Sequence, residues 1–193
     1  TSIDGGAYIT GRTFVETNLA SPNFVAFGDV ELGSNSTGNT AFIAKINQYG
    51  VWQWAETWDS FTQNSDGLAV TSDSYDNVYF AGTMHGTNTK DGVSYASGGN
   101  QNSFIAKLDS NGTWLWVKEV ECSCTNSIDS MAIDVRDNVV LGGSHSAQIQ
   151  LGTLQIANAG GSTDIYLAKI NSTGSWQFAL SAGSTASGDV VGG

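Results

Sequence analysis

Phe42-Ile43-Ala44-Lys45 is followed by Phe104-Ile105-Ala106-Lys107 and then, in altered form, by Tyr166-Leu167-Ala168-Lys169. Both intervals between the three lysines are 62 residues. Each copy precedes a turn and then a segment that carries two aromatic residues two positions apart; the pairs are Trp52 and Trp54, Trp114 and Trp116, and Trp176 and Phe178. A fixed period of this length predicts a repeat architecture in which each repeat forms one supersecondary unit.

The middle copy shows what one unit contains. Four segments have the apolar and β-branched composition of strands, and short stretches with Gly, Asn and Asp join them. The segments lie at 67–71, 78–82, 103–108 and 113–118. No segment has the three- and four-residue apolar spacing of a helix. We therefore predict an all-β fold of three propeller-like blades of about 62 residues, each with four antiparallel strands.

The repeat phase predicts where the units begin and end. Residues 1–193 form one β-repeat domain with units at approximately 1–63, 64–125 and 126–186, and residues 187–193 match the first strand of a further blade. The chain therefore starts and ends in mid-blade. It either closes onto its own first blade or is part of something larger: a fragment of a longer chain, or a subunit that exchanges strands.

An incomplete blade predicts strand completion by a neighbour. Propellers usually have about four to eight blades, which favours the second interpretation. An unpaired strand edge has free backbone groups that a partner strand can satisfy. We expect Asp189, Val190 and Val191 of one copy to pair with the strand of the next copy that contains Ala7, Tyr8, Ile9 and Thr10. A head-to-tail contact of this kind can build a filament.

The motifs resemble a known repeat family. Asp76-Asn77-Val78-Tyr79-Phe80-Ala81-Gly82, then Ser103-Phe104-Ile105-Ala106-Lys107-Leu108, then Asn111-Gly112-Thr113-Trp114-Leu115-Trp116 are similar to the bacterial β-propeller repeats called SBBP, across nearly the whole chain. The resemblance implies blades of large extracellular or cell-surface proteins and no single catalytic centre. No catalytic residue is carried over from it.

Composition and charge limit the partners. The formal net charge of −11 disfavours nucleic acid, because a polyanion would be repelled. The sequence contains no run of about 18 apolar residues, so it predicts no membrane-spanning helix. Cys122 and Cys124 are open to three interpretations: a local disulfide, free thiols or metal ligands. A metal site needs more ligands than this pair supplies, and a disulfide fits an extracellular protein.

The aromatic residues have two interpretations. Trp52 and Trp54 share one face of a strand, as do Trp114 and Trp116, so they form either sugar-stacking platforms or packing between neighbouring sheets. Recurrence with the fold favours packing. Trp58 lies outside the repeated pattern, and we expect it to be the exposed aromatic that stacks on a glycan.

Acidic turns and the repeated lysines also invite two interpretations. Asp73 and Asp76 recur as Asp134 and Asp137. Clustered oxygen ligands suit calcium, but Asp also builds ordinary turns; calcium is the only cofactor we consider. The repeated lysine predicts a structural salt bridge to a turn aspartate in each blade.

The remaining motifs favour a non-enzymatic protein. Asn35, Asn111 and Asn171 begin sequons in predicted turns and are candidate glycosylation sites. Neither a nucleophile elbow nor a phosphate loop is present in the sequence. We predict an extracellular or cell-surface structural or adhesive module that self-associates head-to-tail. A glycan-binding, lectin-like module is the first alternative, and a secreted glycoside hydrolase with two carboxylates across a cleft is the second.

Overall fold

The computed structural model describes residues 1–14, 24–33, 38–58, 64–90, 93–97 and 100–185, and all regular structure in these ranges is β. The strands pair antiparallel in sheets of two to four, which confirms the predicted all-β fold of propeller-like blades. No helix that could cross a membrane occurs in the described ranges.

Blade 1 is built from three long strands and a hairpin. The sheet order is β1-β4-β5, and β2 with β3 forms a separate two-stranded sheet. The bounds are β1 Ala7–Phe14, β2 Phe24–Phe27, β3 Val30–Gly33, β4 Asn39–Ile46 and β5 Trp52–Trp58. Strand β1 is thus the edge strand of this sheet.

Blades 2 and 3 each have the four long strands that the sequence predicts. Blade 2 has the order β6-β7-β10-β11 and blade 3 the order β12-β13-β16-β17. The bounds in blade 2 are β6 Ser65–Ser72, β7 Val78–Met84, β8 Thr87–Lys90, β9 Val93–Ala96, β10 Asn102–Leu108 and β11 Trp114–Val120. Those in blade 3 are β12 Asn126–Ile133, β13 Val139–His145, β14 Ile149–Leu151, β15 Leu154–Ile156, β16 Asp164–Ile170 and β17 Trp176–Ala182.

A short hairpin in each blade was not predicted. The pairs β2–β3, β8–β9 and β14–β15 lie between the second and third positions of the four-strand pattern. Their strands have three or four residues, and β8 (Thr87–Lys90) is polar throughout. Alternation of apolar and polar residues over so short a segment carries little signal, so the sequence predicts only a connection here.

The core consists of two apolar layers, one at each blade junction. Phe80 and Phe104 of blade 2 pack with Ile43 and Trp58 of blade 1. On the opposite face, Ile105 packs against blade 3 in the second layer. Every residue of β7 and β10 is consequently buried. Covering both faces removes the polar-outside alternation that a sheet with one solvent face would have.

Successive blades approach closely where glycine allows it. A Cβ atom at Gly67 would lie 2.1 Å from the Thr10 hydroxyl oxygen and 2.8 Å from the Gly11 carbonyl oxygen. Since real side chains do not tolerate these distances, any larger residue would force β6 away from β1. Gly67 therefore fixes the distance between blade 1 and blade 2.

Candidate functional site at the blade junctions

The three repeated lysines each pair with a turn aspartate, as predicted, but not always in the same blade. Lys107 lies 3.1 Å from Asp73 of its own blade. Lys169 lies 2.5 Å from Asp134, also within its blade. Lys45 of blade 1 lies 3.4 Å from Asp4 in the turn of its own blade, and it also crosses the junction to pair more closely, at 2.8 Å, with Asp76 of blade 2.

Ser2 explains the exception. The turn before β1 has the same backbone hydrogen bonds as the turns before β7 and β13, and Ser2 stands where those turns have Asp73 and Asp134. Without an acidic partner at that position, Lys45 reaches the next carboxylate. The Ser2 hydroxyl also donates to Asp76 at 2.8 Å.

A second polar contact recurs at both junctions. Asp76 and Asp137 have left-handed backbones, with φ of 64° and 59°. Their carboxylates accept a hydrogen bond from the preceding blade's turn: the Ile3 amide donates to Asp76 at 3.1 Å, and the Ser74 amide donates to Asp137 at 2.9 Å. Each left-handed aspartate thus connects its blade to the one before it.

The turn carboxylates are held in the charged state. Burial alone would raise the pKa of Asp76, but hydrogen bonds from Lys45 and Ser2 outweigh it and keep the pKa below its ordinary value. Asp73 behaves alike, with Asn77 and Lys107 as the opposing partners that lower its pKa. The hydrogen bond from Lys169 is the main cause of the low pKa of Asp134.

Calcium binding by these turns stays a prediction. Three of the four candidate aspartates, Asp73, Asp76 and Asp134, have a lysine as their partner. The described ranges contain no group of three or more His, Cys, Asp or Glu side chains arranged to hold a metal ion. What the geometry does display is a structural use of the carboxylates, because each one joins a strand to a turn or a blade to its neighbour.

The tryptophan strands bring an apolar contact to the same junctions. Trp54 of blade 1 donates from Nε1 to the Ser110 carbonyl of blade 2 at 2.9 Å. Trp116 of blade 2 donates to the Ser172 carbonyl of blade 3 at 3.2 Å. In both cases the indole lies against the glycine of the receiving turn, Gly112 or Gly174, whose added Cβ would meet the ring at 2.9 and 3.2 Å. These tryptophans therefore act in packing between blades.

Trp58 is not the exposed aromatic that the sequence predicts, and this expectation was wrong. Its side chain is only 1% exposed. It stacks on Phe104, with ring centroids 4.6 Å apart, and touches Tyr95 of the β8–β9 hairpin at 5.2 Å. The register places Trp58 opposite Ala41, as Val120 lies opposite Ser103. Trp58 thus occupies a repeated position that faces the next blade.

The disulfide lies in the linker between blades 2 and 3. Cys122 and Cys124 are joined in the structure, just after β11 and just before β12. Next to them, the Glu121 backbone exchanges two hydrogen bonds with Gln150 of the β14–β15 hairpin, at 2.9 and 2.8 Å. The cross-link therefore adjoins the point where the third blade's hairpin meets the second blade's outer strand.

Only some of the candidate assembly and glycosylation residues lie in the part of the chain that the structure describes. Ala7, Tyr8, Ile9 and Thr10 lie in β1 and pair with β4 on one side. Their proposed partners Asp189, Val190 and Val191, and the sequon residue Asn35, lie outside the described residues. Asn111 is exposed, whereas the Asn171 side chain accepts hydrogen bonds within its own turn. Glycosylation stays a prediction.

An ion pair that sequence reasoning missed lies at the outer end of the first junction. Lys90 lies 3.1 Å from Glu56 and 4.3 Å from the Trp114 ring centroid. Trp114 donates its Nε1 proton to the same Glu56 carboxylate at 2.9 Å. Glu56 and Lys90 do not recur in the other blades, so the repeat pattern gave no signal for them.

The fold and the junctions together define a repeat module of β-propeller-like blades. One curated relative agrees: an uncharacterised WD repeat-containing protein of Acanthamoeba polyphaga mimivirus is 29% identical over 109 residues. The match covers 47% of this chain and 8% of the relative's length. No family model matches the chain. The similarity supports the broad repeat class and does not reach the narrower SBBP family.

Proposed function

We propose that this protein is a non-enzymatic structural module of the cell surface or extracellular space that associates head-to-tail with further copies of itself. The contact between copies repeats the contact between its own blades. Two surfaces take part: the leading face of blade 1, with Ile9 and Gly50, and the trailing face of blade 3, with Leu167 and Phe178.

The observation that carries the proposal is the exposure of repeat-equivalent residues. Leu167 is 45% exposed, although its equivalents Ile43 and Ile105, which face the next blade, are 0% exposed. Ile9 on the leading face is 37% exposed, whereas its equivalents Phe80 and Leu141 are 0% and 1% exposed. A further blade placed on either face would bury these side chains, at a gain of roughly 25 cal/mol per Å² of apolar surface.

The glycine contact supports the same geometry. Gly50 has the positive φ of Gly112 and Gly174, at 79°. No atom lies within 4 Å of a Cβ built on Gly50, whereas an indole covers each of the other two glycines. Phe178 on the trailing face is the equivalent of Trp54 and Trp116. The apolar part of a blade contact is therefore present on both faces.

The polar part of that contact is weaker. Phe178 has no indole N–H to donate, and Gly5 stands where Asp76 and Asp137 supply a carboxylate. We therefore expect a reversible contact between copies, weaker than either internal junction. Pairing of residues 187–193 with the free side of β1 would add backbone hydrogen bonds to it. Because the two faces differ, the association is heterologous and continues unless the geometry closes a ring.

The extracellular location rests on separate grounds. A disulfide between Cys122 and Cys124 persists in oxidising compartments, and the sequence resembles surface repeat proteins. The acidic charge of −11 also suits a soluble surface component. Mass analysis of the secreted protein, before and after thiol alkylation, tests the disulfide directly.

Single charges on each face test the association. In sedimentation velocity runs over a range of concentrations, the unmodified chain should form species larger than a monomer. Leu167→Asp and Ile9→Asp should each abolish them, because each buries an unpaired carboxylate in the contact. Leu115→Asp is the matched control, since Leu115 is exposed on the outer strand of blade 2 and should leave association unchanged.

Mixing the two face variants gives the sharpest result. Ile9→Asp keeps a good trailing face and Leu167→Asp keeps a good leading face, so their mixture should form dimers and nothing larger. A chain that stays monomeric at all concentrations contradicts the proposal. A variant that lacks residues 187–193 separates the strand from the faces: unchanged filaments by electron microscopy would remove the strand-completion step alone.

A further inference from the structure

The two internal junctions carry equivalent grooves beside the outer strands, and only the first is neutralised from within. At the first junction Glu56, Lys90 and Trp114 satisfy one another. Strand register places Lys118 at the position of Glu56, Leu151 at that of Lys90 and Trp176 at that of Trp114. The second junction therefore keeps the aromatic ring and loses the ion pair.

The second groove holds charged groups without ionic partners. The four other lysines each lie within 4 Å of a carboxylate, whereas Lys118 has no ion pair among the described residues. Glu119 and Glu121 line the same groove, which has a volume of about 430 Å³. Neither glutamate pairs with a lysine or arginine of the described ranges, and Oε1 of Glu119 is buried without a hydrogen-bond partner.

Aromatic and hydroxyl groups complete the lining. Trp54, Trp114 and Trp116 all donate their indole N–H to the protein, but Trp176 makes no such bond within the described chain. The groove is also lined by Tyr95, Thr153 and Ser175. Lys118 and the Trp176 N–H thus present donors to this groove next to an aromatic ring.

We propose that this groove between blade 2 and blade 3 binds a neutral saccharide. Glu119 and Glu121 would repel an anion, and Lys118 disfavours a cation. Each sugar hydroxyl donates and accepts at once, so a saccharide can accept from Lys118 and the Trp176 N–H and also hydrogen-bond the hydroxyls of Thr153 and Ser175 in the same groove. Trp176 offers an apolar surface for a pyranose ring, and the volume is in the range of small-ligand pockets.

The protonation of Glu119 agrees with a neutral ligand. Burial, followed by the charge of Glu121, raises the pKa of Glu119 to about 7, against an opposing hydrogen bond from the Ala96 amide. The charge that acts on Glu119 is that of Glu121, just after β11, whereas Lys118, the preceding residue, points to the opposite face of the strand. A carboxyl group that is partly protonated near neutral pH can donate to a sugar oxygen as well as accept.

A glycan array tests the site. The labelled protein is applied to neutral hexose and N-acetylhexosamine oligosaccharides beside uronic-acid and sulfated ones, and the best neutral glycan is then titrated by calorimetry. Lys118→Glu should weaken its binding about tenfold or more, because the new carboxylate takes the Trp176 N–H, as Glu56 takes that of Trp114. Glu119→Gln and Trp176→Ala should also weaken binding.

The controls separate this site from a general effect on the fold. Glu31→Gln, at an exposed position of β3 in blade 1, should bind as the unmodified chain does. Circular dichroism and the unfolding midpoint identify any variant that fails to fold, and Lys118→Met replaces it in that case. A blank array, binding only to acidic glycans, or full affinity in folded Lys118→Glu would each overturn the proposal. None of these outcomes depends on whether copies associate.

Discussion

The two internal junctions share one backbone framework and differ in the polar groups that complete it. In both, an indole lies on a turn glycine and a left-handed aspartate accepts a backbone amide. At the first junction Asp76 also binds Lys45 and Ser2. At the second, Asp137 accepts hydrogen bonds from the amide and hydroxyl of Ser74. Lys107 pairs with Asp73 of its own blade and donates to the Ser172 carbonyl of blade 3 at 3.4 Å.

This difference shows how equivalent junctions acquire different polar contacts. The apolar contacts recur because each blade must cover its neighbour. The polar contacts vary: Ser2 stands where the other turns have an aspartate, and the carboxylate closest to Lys45 is that of Asp76 across the junction. At the outer end, the exchange of Glu56 for Lys118 opens a groove. The apolar contacts shared by both junctions therefore allow each junction to have different polar contacts.

The largest expected effect is on the ion pair of the first junction. Asp76→Asn keeps a residue that tolerates positive φ but removes the closest carboxylate from Lys45, whose side chain is only 8% exposed, and leaves it only the longer contact of 3.4 Å to the more exposed Asp4. We expect a loss of about 3 kcal/mol of unfolding free energy. The matched change Asp137→Asn removes partly exposed hydrogen bonds and should cost about 1 kcal/mol. Urea unfolding at pH 7 measures both.

A double variant decides whether charge is the cause. Lys45→Met with Asp76→Asn removes both charges and should recover part of the loss, because no buried ammonium remains without its closest carboxylate. The pH gives an independent check. The pKa of Asp76 is lowered on folding, so its contribution is present above the ordinary pKa and lost as pH falls through the folded value. Equal losses for Asp76→Asn and Asp137→Asn would contradict the difference between the junctions.

A smaller effect is expected at the turn glycines. Gly112→Ala and Gly50→Ala both place a Cβ on a backbone with positive φ, which costs about 1 kcal/mol. At Gly112 the new atom also lies 2.9 Å from the Trp54 ring, whereas at Gly50 it meets nothing. We therefore expect Gly112→Ala to cost about 1 kcal/mol more, from the displaced indole.

Thermal unfolding at a protein concentration where the chain is monomeric gives the comparison. Tryptophan fluorescence should also shift in Gly112→Ala and remain unchanged in Gly50→Ala. If both variants lost the same stability, the indole contact would contribute nothing beyond the backbone term. A different result would be weaker self-association of Gly50→Ala with a monomer at least as stable as that of Gly112→Ala. That result would support a role of Gly50 in the contact between copies.

The sequence predicted the long strands and turns that repeat, but missed the short hairpin that also repeats in each blade and the contacts that depend on one junction. Strands, turns and the lysine–aspartate pairs follow from local composition and period, so the fold class could be read directly. The partner of Lys45 could not, because it depends on the distance between two blades. Trp58 was assigned to solvent because its equivalents, Val120 and Ala182, are not aromatic, and only the strand register shows that the position is the same.

The groove at the second junction could not be predicted from the sequence, for a related reason. In the sequence, the segment with Lys118, Glu119 and Glu121 has the pattern of an ordinary outer strand. Lys118 lacks an ion pair among the described residues because Leu151 stands at the position of Lys90, in a hairpin whose short strands gave little signal. Glu56 and Lys90 are 34 residues apart and belong to different blades. A charge that is paired at one junction and unpaired at the next is a property of the packed blades.

The smallest expected effect separates the two grooves by pH. The pKa of Glu119 is raised from 4.5 to about 7 on folding, so the folded state binds its proton more tightly. This contribution is fully present below about pH 4.5 and is lost as pH rises through 7.

Glu119→Gln should therefore raise the unfolding free energy by about 1 kcal/mol at pH 8, after allowance for partial exposure, and leave it unchanged at pH 5. Glu56→Gln at the first junction should instead lower the unfolding free energy, because it removes the carboxylate that pairs with Lys90 and accepts from Trp114. Urea unfolding of the two variants at pH 5 and pH 8 makes the comparison, and a Glu119→Gln effect that is independent of pH would mean that Glu119 is not desolvated in its groove.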